Sequence, residues 1–190
     1  FQTSPWLFYA CTLFLGLYEL PAYELEEWHL AAAVGLGLVA ALPVIVLAVL
    51  GRAARQMFAR LPGPTLARPV IGGLAFGLIG VALPLTNFTG SDQLQTVLAE
   101  GSDLGVVLLV ATLLGKMAAF AVSTASGFIG GPIFPILFVG GTAGVIASDI
   151  IPALPLGLTF SCMLAAVPGA VVSAPFSMVL LAVLFTQVGA

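Results

Sequence analysis

From Leu104 to Ala190 only Lys116 and Asp149 carry charge, and the stretch is a succession of apolar runs broken by glycine and proline. Several runs reach or approach the roughly 20 residues that a membrane-spanning helix needs. In lipid, backbone amides and carbonyls must pair internally, which leaves helices or a closed barrel. Barrel strands alternate lipid-facing and lumen-facing residues with period two, and these runs are too long and too continuous for that. Charged residues make up 7% of the chain, against about 25% in ordinary soluble chains, so a water-facing surface cannot be built. An all-α integral membrane protein follows, embedded in the lipid bilayer.

Composition closes off other classes. The net charge is −3, with no basic cluster dense enough for nucleic acid. Cys11 and Cys162 lie in separate apolar runs with no histidine or second cysteine nearby. Neither a metal site nor a disulfide framework is indicated, no cofactor is implied, and both read as small buried hydrophobes. The chain starts at Phe1 already apolar and ends at Ala190 directly after an apolar run, so both ends read as cut from something longer. Residues 1–190 are expected to form one transmembrane domain fragment.

The first apolar segment is expected over Pro5–Leu20, followed by an acidic link holding Glu19, Glu24, Glu26 and Glu27. Tyr23 and Trp28 fit an interfacial aromatic belt, and His29 reads as an interfacial side chain. A second segment covers His29–Leu50 and continues as a basic end with Arg52, Arg55 and Arg60, before L-P-G-P and Arg68. These four arginines, of five basic residues in all, place that link in the cytoplasm and the acidic link outside by the positive-inside rule. The third segment, Leu66–Leu85, is glycine-rich, and Gly73 and Gly77 have the G-x-x-x-G spacing of close helix packing. A short helix over Asp92–Ala99 is expected, with Ser91 as its N-cap.

The fourth segment, Leu104–Ser123, leads into S-G-F-I-G-G-P-I-F-P, residues 126–135, and a fifth runs from there to about Ile151. A sixth, Leu156–Val167, is expected to stop at Pro168-Gly169, and a last one covers Pro175–Val188. Broken, part-length helices at membrane depth occur where protein or a water-filled cavity covers them, and in transporters they build the substrate site.

A helix starting near Pro132 presents free N–H groups at its N-terminus. Pro132 suits the first turn, leaving the amides of Ile133, Phe134 and Ile136 as donors, since Pro135 has none. Gly130 and Gly131 permit close backbone approach. That is an anion site by geometry, or equally a simple helix-to-helix turn. One helix end contributes about 0.3–2 kcal/mol, while burying a bare ion costs tens, so further donors must converge or the site must stay wet. Hydroxyls of Ser123, Thr124 and Ser126 precede the break, although such hydroxyls commonly bond their own backbone. Lys116, in mid-segment, must face the protein interior or snorkel. In the interior its field would concentrate anions.

The run S-G-F-I-G-G-P-I-F-P-I-L-F-V-G-G-T-A-G resembles the G-x-F-x-P region of the CLC chloride channel and transporter family. It is most similar to the bacterial ion-channel branch in which G-G-x-I-F-P replaces G-G-I-F-A-P. Lys116 stands where the family commonly carries a basic residue, and A-V-P-G-A-V-V-S-A-P-F-S-M-V-L-L-A-V-L-F looks like its later helix pair at the dimer interface. The resemblance covers the chain as the second half of an inverted-repeat, multi-helix bundle. It implies a homodimer in the bacterial inner membrane, with a separate pathway for a small inorganic anion in each subunit. Its anion-binding residues would be Gly131, Ile133, Phe134 and Ser126, with Lys116 acting electrostatically.

The family's serine loop G-S-G-I-P and gating loop G-R/K-E-G-P do not occur here, and no tyrosine follows Tyr23. Aligned on the double glycine, Pro132 falls where the family has an amide donor and Ile133 replaces the phenylalanine. Alternatively the register shifts by one and Phe134 takes that place. Two other functions compete. A non-transporting membrane scaffold would fit the missing gating residues only if the chain were complete. A Ser-Lys hydrolase built from Ser123, Ser126 or Ser161 with Lys116 lacks any nucleophile motif, so no enzymatic activity is expected.

Overall fold

A computed structural model describes residues 18, 20–21, 26–61, 66–87 and 90–186. Among these every long regular element is a helix. In chain order they are α1 (Glu27–Val39), α2 (Ala41–Ala59), α3 (Ala67–Ala82), a 3-10 turn (Pro84–Thr86), α4 (Ser91–Leu104), α5 (Val106–Ser126), α6 (Ile133–Ile150), α7 (Leu156–Val172) and α8 (Pro175–Thr186). The expected first segment, Cys11 included, lies outside the described residues except for Tyr18 and Leu20, as do residues 22–25 of the acidic link.

Among the described residues three stretches are long and apolar enough to cross a membrane: Glu27–Ala59, Val106–Ser126 and Ile133–Ile150. The first takes in the expected apolar segment and its basic end. It joins α1 and α2 across Ala40, at ~1.5 Å per residue a path of ~50 Å, and so carries the arginines past the hydrocarbon. The interruption has a local cause. Pro43 has no N–H to offer the Val39 carbonyl, and its ring crowds that carbonyl. The outer surface is apolar: Val70, Leu74, Leu78 and Val81 form an exposed stripe along α3. Water would disfavour such a face, and lipid suits it.

Helix α6 is the centre, with every residue from Ile136 to Ile146 buried. On one flank Phe138 and Val145 join Leu94, Leu109, Phe160 and Phe185. On the other, Val139 and Ala143 join Leu36, Leu47, Met117 and Val167. Tyr18 closes the first cluster. Its N–H donates to the Phe185 carbonyl at 3.0 Å, and its ring meets Phe160 edge-on at 5.5 Å. Helices α6 and α7 pack backbone against backbone. A methyl group at Gly140 would lie 2.6 Å from the Met163 carbonyl oxygen, and one at Gly144 would lie 2.6 Å from the Phe160 Cα. The small-residue packing principle therefore operates here and not at Gly73 and Gly77. Gly77 has nothing within 4 Å, and Gly73 has only the Phe128 ring.

Several sequence expectations give way to tertiary packing. Helix α4 is capped by Gly90 rather than Ser91, which is its first helical residue. Gly90 is left-handed, and the chain passes so close to Phe138 that a Cβ would touch that ring at 3.0 Å, a place only glycine fills easily. Helix α7 runs straight through Pro168-Gly169 to Val172. The lost bond to the Leu164 carbonyl is tolerated because Val167, Pro168 and Gly169 are buried among neighbouring helices, the circumstance in which membrane helices accept proline. The helix ends at Ser173, in the left-handed region. His29 is buried, and its Nδ1 accepts from the Glu26 amide at 3.0 Å, capping α1.

Candidate functional site

The break falls where the sequence places it. Gly127 adopts φ 101°, ends α5, and donates to the Ser123 carbonyl. The Phe128 amide donates to the same oxygen at 3.2 Å. Residues 128–132 are not helical, and α6 begins at Ile133 after Pro132. Ile136 is spent, its amide donating to the Pro132 carbonyl at 3.2 Å. Of the three donors expected, the helix start thus leaves Ile133 and Phe134, whose amides meet no backbone carbonyl among the described residues. Both residues are partly exposed.

Beside this start lies a cavity of about 160 Å³. One face of α5 supplies Lys116, Ala119, Phe120, Ser123 and Thr124, the i, i+3, i+4 spacing of a helix stripe. The linker supplies Phe128, Ile129, Gly130 and Gly131, α6 supplies Pro135, and Phe76 and Thr86 close the far side. Gly131 and Pro135 bracket the two unpaired amides in sequence and both line the cavity. Sequence reasoning missed Phe76 and Thr86. Neither carries a local signal, since each reaches the cavity through the fold of α3 and its following turn.

Lys116 sits at the middle of the 21-residue α5 and is only 3% exposed, so it does not snorkel. Its Nζ donates to the carbonyls of Thr86 at 3.0 Å and Asn87 at 3.3 Å, and lies 5.1 Å from the Phe138 ring centroid. These carbonyls fix the ammonium in place, and Lys116 is among the residues that line the cavity.

The hydroxyls behave differently from one another. Thr124 donates to its own helix, to Phe120 at 3.0 Å and Ala121 at 3.1 Å. Ser126 is buried, donates to the Ser123 carbonyl at 3.0 Å, and packs directly against Gly72 of α3. The structure therefore brings Gly131 and Lys116 to the cavity and turns Ser126 toward α3, while Ile133 and Phe134, between the lining residues Gly131 and Pro135, are not themselves lining residues. Among the described residues no group of histidine, cysteine and acidic side chains could hold a metal.

Comparison with known proteins agrees with this architecture. Residues 3–189 match the family model described as voltage gated chloride channel. A protein of Escherichia coli O1:K1 / APEC named "Putative ion-transport protein YfeO" is 40% identical over 94 residues, 48% of this chain and 22% of that relative. The protein of the same name from Escherichia fergusonii is 39% identical over an equal stretch. The matched stretch thus spans about a fifth of these curated relatives. No solved structure matches the chain. With its family model matched from residue 3 to residue 189, this helical membrane chain belongs to the voltage gated chloride channel family.

Proposed function

We propose that the chain forms part of a transmembrane anion pathway, with chloride the first candidate, in which the ion is received at the start of α6. The observation that carries this reading is the cavity at the break. It is lined by Lys116, Gly130, Gly131 and Pro135, next to two amides without carbonyl partners. The Ile133 and Phe134 amides and the positive end of α6 supply directed donors. Lys116 adds a fixed positive field in a region of low dielectric. Together these do not offset full desolvation of an ion, so the ion stays partly hydrated or receives donors from elsewhere in the protein. Ser126 enters the reading as the residue that seats the end of α5 on α3. Family membership further supports a homodimer with one pathway per subunit, in the bacterial inner membrane.

The test uses the complete gene product in chloride-loaded liposomes, with chloride efflux and external pH followed together. Efflux is expected. Uphill proton movement alongside it identifies an antiporter, and its absence a channel. No flux of any small anion from folded, reconstituted protein overturns the proposal and leaves a scaffold.

A further inference from the structure

A second crevice, of about 300 Å³, lies between α2, α5 and the end of α7. Its walls are apolar for most of their length, with Val44 and Leu47 from α2, Phe120 from α5 and Val171 from α7. Its one charged lining residue is Arg55. From Val44 to Arg55 the lining follows one face of α2 for ~16 Å at the helical rise. That is about half the ~30 Å hydrocarbon core, the depth of a single leaflet, with the cation at the arginine-rich end.

Arg55 is exposed, and its guanidinium lies back along α2 beside Gly51, another lining residue. One of its terminal nitrogens lies 3.6 Å from where a Cβ on Gly51 would stand, one helical turn back toward the apolar end. No carboxylate pairs with Arg55 among the described residues, and the Thr124 hydroxyl in the same wall is already donated to its own helix. The crevice thus offers one planar fork for a phosphate or carboxylate and otherwise only hydrocarbon contact. A free phosphate would meet the fork and no second donor. An amphiphile satisfies both ends.

We propose that this crevice binds an anionic phospholipid, its phosphate on the Arg55 guanidinium and an acyl chain along α2 between Phe120 and Val171. Basic pockets between membrane helices hold lipid headgroups by this chemistry. Phe120 and Thr124 line both this crevice and the cavity at the helix break, so an occupying chain bears on the wall that the two share.

The experiment is native mass spectrometry of the complete protein, released from nanodiscs holding equal phosphatidylglycerol and phosphatidylcholine. The wild type is expected to retain phosphatidylglycerol preferentially. Arg55→Gln should reduce that preference about tenfold, as for loss of a charge-assisted bond, while Arg68→Gln leaves it unchanged. If Arg55→Gln does not fold, Ala48→Phe, which fills the crevice and keeps the charge, should displace the lipid equally. Unchanged preference in folded Arg55→Gln or Ala48→Phe protein overturns the proposal. So does inorganic phosphate that displaces the lipid or raises the unfolding temperature as much as phosphatidylglycerol does.

Discussion

The Lys116 ammonium lies 3.0 Å from the carbonyl oxygen of Thr86, thirty residues earlier in the chain. This bond ties the middle of α5 to the turn after α3, while the same ammonium rests over Phe138 of α6. A lysine in mid-membrane costs about 2.5–3.5 kcal/mol on insertion scales. Here carbonyls and an aromatic face replace part of its lost hydration.

Lys116→Met removes both the charge and the donor, leaving the Thr86 and Asn87 carbonyls short of a partner. We expect a loss of about 1–3 kcal/mol, read as a lower unfolding midpoint in denaturant titrations in detergent. If the charge acts through its field, chloride flux per folded protein also falls in Lys116→Met. Flux unchanged in folded Lys116→Met protein removes Lys116 from the pathway.

Gly140→Ala and Gly144→Ala should each destabilise by about 1–3 kcal/mol, because the new methyl group meets α7 backbone at 2.6 Å. Gly77→Ala has nothing within 4 Å to meet. It should be neutral, or stabilising by up to about 1 kcal/mol from helix propensity. Unfolding titrations of the three variants side by side check the ordering.

Gly127 holds φ 101° in open space, so Gly127→Ala strains the backbone without a clash. The cost should be about 1–2 kcal/mol, the penalty of a left-handed L-residue. Asn87→Ala tests a second support of the site, since the Asn87 side-chain amide donates to the Gly80 carbonyl at 3.2 Å. About 1 kcal/mol is expected there, measured by the same titration.

Replacing Phe134 by phenyllactic acid exchanges one amide N–H for an ester oxygen and leaves the side chain in place. Chloride affinity should weaken about tenfold, the effect of one hydrogen bond to a charged group. The same exchange at Ile136, whose amide is bonded to Pro132, should lower stability and leave affinity nearly unchanged. Calorimetric chloride titration separates the two.

The helices and the break were legible because their causes are local. Apolar runs require helices in lipid, and Gly127, Gly130, Gly131 and Pro132, gathered within six residues, disfavour a continuous one. Lys116 was legible as a residue that lipid cannot hold, but the choice between the interior and snorkelling was made by the Thr86 and Asn87 carbonyls, which no local pattern places beside it. What escaped depends on distant partners. Gly90 caps α4 because Phe138 arrives beneath it, α7 survives Pro168 because other helices enclose it, and Ser126 faces α3 because Gly72 makes room. No spacing in the chain announces that Arg55 folds back over Gly51, or that Thr86 reaches the cavity.

The central claim is that an anion sits where α6 begins, and bromide locates it most directly. Crystals of the complete protein grown in bromide should show an anomalous peak in the cavity beside Gly131, about 3–3.5 Å from the Ile133 and Phe134 amide nitrogens, the reach of an amide donor to a large anion. Bromide bound elsewhere in the membrane region, with this cavity empty, would contradict the account.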